Sequence, residues 1–235
     1  MSLLKLILLF FHPRKIFKSV DRHIEIVDRI EQGRPVRLLL YDGIRESGMF
    51  TDNYRLRDPL FYYMRTLKLI IDHYPFIHNT LLIGGGGFVF PQIYLYGHPD
   101  RRMTVVELDP GYVELARKYF GLNTGDKRLN IVISDGLKYI NENSGNPQYD
   151  MIIYDAYIGD NAARYILSEA VCSKVHSMLK PGGIYALNMV NEAMDVISMD
   201  THLTESTLKK IFAHTRITRC VGGGNCILMA SDRKI

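Results

Sequence analysis

Along this chain the apolar positions switch between two spacings, and the switches fall where turn residues stand. Leu81–Ile83, Thr104–Val106, Leu129–Ile133, Tyr149–Tyr154 and Ile184–Val190 are short apolar or β-branched runs, the pattern of strands buried on both faces. Between them the spacing becomes helical. Leu60, Tyr63, Met64, Leu67, Ile70 and Ile71 form one stripe, with Asp58 as the expected N-cap and Pro59 at the first helical position. Tyr62 falls off that stripe and is expected to face a cleft or solvent. Asp109-Pro110 opens a second helix whose inner side would be Val113, Ala116, Arg117 and Phe120. Further helices are expected near Leu137–Asn143, from about Ala162 to Leu179 with a stop at Pro181-Gly182-Gly183, and over Leu203–Phe212. Arg216–Val221 and Cys226–Ala230 flank the turn Gly222–Asn225 as a terminal antiparallel pair. Strands alternating with helices call for right-handed crossovers, so the fold class is α/β: a Rossmann-like, mostly parallel twisted sheet with helices on both faces and a C-terminal antiparallel strand.

Residues 1–57 follow a different pattern. Val36–Tyr41, the turn Asp42-Gly43 and Ile44–Phe50 predict a small β-hairpin appendage, and Ser19–Glu31 fits a short helix or a strand equally well. The expected division is an N-terminal segment, 1–57, and a Rossmann-like unit, 58–235. Leu3–Phe11 is nearly all apolar but contains Lys5 and is far shorter than the ~20 residues of a membrane span. No basic residue precedes it and no small-residue cleavage site follows, so it reads as a strand or helix packed on the domain or on a second subunit, not as a membrane contact. A net charge of +4 over 235 residues, with no Lys/Arg cluster interleaved with aromatics, gives no case for nucleic acid. Cys172, Cys220 and Cys226 have no metal-ligand spacing, and their odd number argues against a disulfide framework, so a reducing, cytoplasmic setting is expected and no metal.

The chemistry-bearing residues gather at strand ends. Gly84, Gly85, Gly86 and Gly87 follow the first strand of the parallel sheet and let the backbone approach a ligand without a Cβ in the way. Glu107 ends the next strand, 20 residues past Gly87, the spacing at which a carboxylate accepts from both hydroxyls of a nucleotide ribose. Asp135 ends a third strand, as an acceptor for an adenine amino group, a helix N-cap, or both. Asp155 ends a fourth. Ligands of parallel sheets collect at these carboxyl ends. A dinucleotide fingerprint would want a third glycine where Val89 stands, so an adenosyl cofactor without a pyrophosphate fits better. For an amine acceptor, which arrives protonated, Asp155 would attract the ammonium and take its proton. Glu46, Tyr157 and Asp160 are weaker candidates for the same mouth.

In order along the chain these motifs resemble the spermidine synthase family, within the class I S-adenosylmethionine-dependent methyltransferase fold, from about Leu38 to the C-terminus. Leu81–Gly87 resembles its glycine-rich cofactor loop, Val106–Pro110 its ribose-binding strand end, Ser134–Gly136 its adenine-binding turn, and Tyr149–Asp155 the strand carrying its catalytic aspartate. Leu179–Gly183 resembles a stop common across the methyltransferase fold. Asp42-Gly43 and Pro59–Tyr62 resemble its N-terminal turn and Tyr-bearing helix. The resemblance implies a transferase moving an aminopropyl group from decarboxylated S-adenosylmethionine to an amine, as in polyamine biosynthesis. Methyl transfer from S-adenosylmethionine and a silent, scaffolding family member are the alternatives. It implies Asp155 as the catalytic base, Gly84–Gly87, Glu107, Asp109, Asp135 and Gly136 as the cofactor shell, Glu46, Tyr62, Tyr157 and Asp160 beside a small-molecule acceptor, and a homodimer or homotetramer. Two positions depart from it. Gly87 stands where the family has an Asp that binds the aminopropyl amine, and Ile158 where it has a second diamine-binding Asp. Glu46 replaces a common Gln.

Overall fold

The computed structural model describes residues 3–19, 23–156, 167–191 and 196–235. Among these residues eleven strands form two sheets. The larger has seven strands, in spatial order β10-β11-β9-β8-β5-β6-β7: β5 is Asn79–Ile83, β6 Arg102–Glu107, β7 Leu129–Ile133, β8 Tyr149–Tyr154, β9 Leu179–Val190, β10 His214–Arg219 and β11 Asn225–Ser231. Pairing is parallel from β9 through β8, β5 and β6 to β7, and antiparallel where β11 meets β9 and β10. The helices named below pack on its two faces, as the sequence pattern requires.

Alternation along each strand fills two cores. Leu82, Val105, Met151, Ile153 and Ala186 face one way, into a cluster with α2 (Tyr62–His73), α3 (Val89–Leu95) and α4 (Pro110–Tyr119). Leu81, Ile83, Val106, Ile152 and Leu187 face the other, toward α5 (Gly136–Asn143), α6 (Glu169–Met178) and α7 (Met199–Leu208). Burial on both faces is why these strands read as unbroken apolar runs.

The N-terminal hairpin proves to be half of a second sheet. β1 (Arg14–Ser19), β2 (Ile24–Glu31), β3 (Arg34–Tyr41) and β4 (Ile44–Phe50) pair antiparallel in chain order, after a helix α1 (Leu3–Phe11). Gln32-Gly33 and Asp42-Gly43 make the two tight turns, each with positive φ at both residues, as a type I′ hairpin needs. In the undecided stretch 19–31, Ser19 ends β1 and Ile24–Glu31 is β2, held in register by the turn at Gln32-Gly33. Ile24, Ile26, Leu39 and Met49 on one face join the first core of the large sheet, and Val36, Leu38, Leu40 and Phe50 on the other pack with Leu60.

Several helix boundaries, and one facing, differ from the sequence pattern. The helix expected from Asp58 starts at Tyr62, because ion pairs to Arg34 and Arg65 occupy the Asp58 carboxylate, and Phe61 stands at the N-cap without a capping side chain. The helix expected over Leu203–Phe212 begins four residues earlier, at Met199, where the Ser198 hydroxyl caps Thr201 N–H at 3.2 Å. In α4, Arg117 points outward to Glu114, while Ala116 and Phe120 do turn inward. Pro181-Gly182-Gly183 lies inside β9, where three extra residues shift the pairing with β8; the helix expected to end at Leu179 ends at Met178, and its expected start near Ala162 lies outside the described residues.

Candidate active site

Parallel strands end on the same edge of a sheet, so β8, β5, β6 and β7 bring their carboxyl tips together. The tips are also stitched laterally. Gly84 N–H donates to Val106 O at 2.9 Å, Asp155 N–H to Ile83 O at 2.9 Å, and Ser134 N–H to Glu107 O at 3.0 Å. Asp155 and Asp135 are three strand spacings apart, about 14 Å at ~4.8 Å each, which is the length of a nucleoside with a short tail.

Gly84 must be glycine. Its φ is +97°, and a Cβ there would lie 2.7 Å from the carbonyl oxygen of Asp155. The turn thus crosses against the catalytic candidate itself. One Glu107 oxygen accepts from Gly85 N–H at 2.8 Å and Gly86 N–H at 3.3 Å; the other accepts from Asp109 N–H at 2.9 Å. Those amides are what a glycine-rich turn would otherwise offer a phosphate. With a carboxylate already on them, the turn suits an uncharged ribose and repels a pyrophosphate. A carboxylate has about four acceptor directions, so Glu107 keeps one, on the Asp109 side, for a ligand hydroxyl. Asp109 caps α4 through Gly111 N–H at 2.7 Å, and Asp135 caps α5 through Lys138 N–H at 2.8 Å. The cap role of Asp135 is therefore realised, and its residue remains exposed at the edge of the tip cluster. Gly136 is the first residue of α5.

At the β8 end, Asp155 accepts from Asn188 Nδ2 at 2.7 Å, and the Tyr63 hydroxyl stands near it. Asn188 is held in turn: Asn225 Nδ2 donates to its Oδ1 at 3.0 Å, which fixes the amide with its N–H toward Asp155. Burial pushes the Asp155 carboxyl up to about 6, against the Asn188 hydrogen bond and the Tyr63 hydroxyl, and the nearby Glu46 charge adds to the rise. Burial, followed by the charge of Glu107, pushes Glu46 up as well. Tyr63 is driven well above its ordinary range, first by burial and then by Asp155, so it stays a donor. No Lys or Arg among the described residues stands close enough to lower Asp155 or Glu46. Three carboxylates, Glu46, Glu107 and Asp155, therefore border one site that lacks a compensating cation among the described residues, the electrostatics of a receptor for positively charged ligands.

Glu46 and its neighbour Ser47 come from β4, so the small sheet contributes directly. Ser47 is 2% exposed, and its Oγ lies 2.6 Å from where a Cβ on Gly87 would stand. The space a side chain at position 87 would enter is already filled.

Tyr62, expected at the cleft, instead lays its ring on the Gly222–Gly223 turn, 2.9 Å from where a Cβ on Gly222 would be. The hydroxyl beside Asp155 belongs to Tyr63, which the helical pattern had absorbed into its apolar stripe. Tyr157 and Asp160, and Ile158 with them, lie outside the described residues. Asn188 was missed although a signal existed: it is the one polar residue of Ile184–Val190, and a polar side chain in a buried strand needs a partner.

Comparison with known proteins agrees with this architecture. A zebrafish (Danio rerio) eEF1A lysine and N-terminal methyltransferase is 31% identical over 141 residues, 57% of this chain and 19% of that protein. A polyamine aminopropyltransferase of Buchnera aphidicola is 28% identical over 165 residues, 68% of this chain and 56% of that protein. The chain thus spans about a fifth of the first relative and little over half of the second. A probable spermidine synthase from Corynebacterium glutamicum superposes with a TM-score of 0.75 at 21% identity, over 94% of this chain and 81% of that one. Human methyltransferase-like protein 13 in complex with SAH superposes at 0.58 with 26% identity, over 72% and 77%. Residues 68–221 match the family model described as spermine/spermidine synthase domain. The chain belongs to that family.

Proposed function

We propose that this chain is a transferase that moves an alkyl group from the sulfonium of an S-adenosyl co-substrate to an amine. The observation that carries this is Asp155: a carboxylate at the tip of β8, beside the glycine turn, aimed by Asn188 and Tyr63 and with its midpoint pushed up to about 6. An amine arrives as ammonium and has no lone pair. Asp155 accepts its proton; the freed nitrogen attacks the carbon on sulfur; the C–S bond breaks, and its electrons leave sulfur as a neutral thioether. Both the sulfonium and the ammonium are cations, which suits a site bordered by Glu46, Glu107 and Asp155. Glu107 and Asp135 would hold the nucleoside, and the enzyme's remaining contribution is in-line positioning.

Methyl transfer from S-adenosylmethionine is the better supported version. The loop position where the resemblance implies an aminopropyl-binding Asp is Gly87, and Ser47 fills the space beyond it. Relatives with a methyltransferase name are consistent with this. Aminopropyl transfer from the decarboxylated form is the second version, supported by Glu46, which could hold an ammonium, and by the aminopropyltransferase relatives.

Isothermal titration with both co-substrates, followed by mass spectrometry of the spent nucleoside over a panel of amines, tests this. Preference for S-adenosylmethionine and formation of S-adenosylhomocysteine supports methyl transfer, and methylthioadenosine supports aminopropyl transfer. Binding of neither co-substrate sinks both versions. Binding without turnover in the parent, unchanged in Asp155→Asn, points to a scaffold.

A further inference from the structure

The apolar stretch Leu3–Phe11 is helix α1, one of the two forms its sequence allows. Ile7, Leu8, Phe10 and Phe11 are between 47% and 68% exposed. Phe10 and Phe11 stand edge to face, 5.2 Å apart. Only two residues, His12 and Pro13, separate them from β1, which carries Arg14, Lys15 and Lys18, all exposed. The pairing of β1 with β2 slips between Lys15 and Phe17, so Lys15 and Lys18 both reach Glu25, at 2.6 and 3.4 Å. Ile16 and Phe17 meanwhile pack against the main core and anchor the strand.

The charge of the chain is concentrated here. Residues 1–20 hold Lys5, Arg14, Lys15 and Lys18 and no acid, so the other 215 residues carry 25 cations and 25 acids and are balanced. The whole formal excess of +4 belongs to the segment that exposes the largest aromatic pair. We propose that α1 and the start of β1 form a docking element for an anionic lipid bilayer surface, with Phe10 and Phe11 entering the acyl boundary and Arg14, Lys15 and Lys18 at the headgroups. No helix among the described residues is long and apolar enough to cross a membrane, so the contact lies in the interface plane. A second copy is the worse occupant. Pairing two such segments would bring Arg14, Lys15 and Lys18 of each copy together, with Lys15 and Lys18 already sharing a single acid, Glu25. A nucleic acid would satisfy the charges and leave the aromatic pair in water.

The site at the strand tips plays no part in this. Each cation beside an anionic surface changes partitioning about fivefold, so two together change it about twenty-five-fold. The full chain, spun down with phosphatidylcholine vesicles with and without phosphatidylglycerol, is expected to pellet with the anionic ones and to be released by salt. Arg14→Gln with Lys18→Gln, which keeps the Lys15–Glu25 pair, is expected to lower binding by about that factor. Phe10→Ser with Phe11→Ser is expected to abolish it, with an unchanged circular dichroism spectrum. The chain contains no Trp, so Phe10→Trp is a unique reporter whose emission should shift to the blue on anionic vesicles. A parent that stays in the supernatant overturns the proposal. So does a Phe10→Trp blue shift that grows with protein concentration in the absence of lipid, which would identify a second copy as the occupant.

Discussion

At neutral pH a carboxyl with its midpoint near 6 is mostly ionised yet still basic enough to accept a proton, and Asp155 has that balance through burial set against the Asn188 hydrogen bond and the Tyr63 hydroxyl. A charge-assisted hydrogen bond contributes about 1.5 kcal/mol or more, which is about one pH unit. Asn188→Ala is therefore expected to raise the Asp155 midpoint by about one unit, read from the carboxyl carbon shift in an NMR titration. Asn225→Ala touches neither Asp155 nor the co-substrate, and it is expected to shift the same midpoint in the same direction by less. An unchanged midpoint in both would remove the amide pair from any role at the site. The same burial has a stability consequence. The folded midpoint lies above the ordinary carboxyl value of 3.8, so folding favours the protonated form. That contribution is complete below about pH 4 and is lost as pH rises through about 6. Asp155→Asn is thus expected to stabilise the chain at pH 8 by on the order of 2 kcal/mol, with the gain vanishing near pH 4, in denaturant titrations at both values.

The glycine turn shows what one element owes to its neighbour. Gly97 and Gly84 both have positive φ, +74° and +97°, but a Cβ on Gly97 would meet nothing within 4 Å, whereas on Gly84 it would meet Asp155 O at 2.7 Å. Gly97→Ala should cost only the left-handed backbone penalty, about 1 kcal/mol. Gly84→Ala should cost at least about 2 kcal/mol and also push the β8 tip aside, so co-substrate affinity falls with it. Equal losses in the two variants, measured by thermal unfolding, would mean that the close approach of turn and strand tip carries no energy. Helix ends were less legible than the strands for a related reason. Asp58 has the residue type of an N-cap and sits before proline, but distant Arg34 captures its carboxylate and the helix begins at Tyr62. Ser198, in contrast, caps its helix with a purely local bond, yet the apolar spacing pointed four residues later.

For the whole molecule, the question is whether the small sheet is an appendage. The division at 57 follows a change of sequence pattern, but Ile24, Ile26, Leu39 and Met49 share a core with Leu82 and Val105, and Arg37 reaches across to Tyr119 O at 2.7 Å. Glu46 and Ser47 border the site as well. We therefore expect one cooperative calorimetric transition with matching calorimetric and van't Hoff enthalpies; two resolved peaks would show that the sheets unfold separately.

Sequence alone determined what depends on neighbours a few residues apart: the parallel strands, the hairpin turn at Asp42-Gly43, the caps at Asp109 and Asp135, and the placing of Gly84–Gly87, Glu107, Asp135 and Asp155 at strand ends. Period and turn chemistry are local, so they can be read from a single chain. Tertiary structure decided the rest. It chose Tyr63 over Tyr62 for Asp155, since adjacent helical residues point about 100° apart and only the packing of α2 sets which one meets the sheet. It joined Asn188 and Asn225 across an antiparallel pairing, filled the space at Gly87 with a serine from another sheet, and left Phe10 and Phe11 of α1 exposed. These depend on residues dozens of positions apart meeting in space, and no periodicity along the chain encodes them.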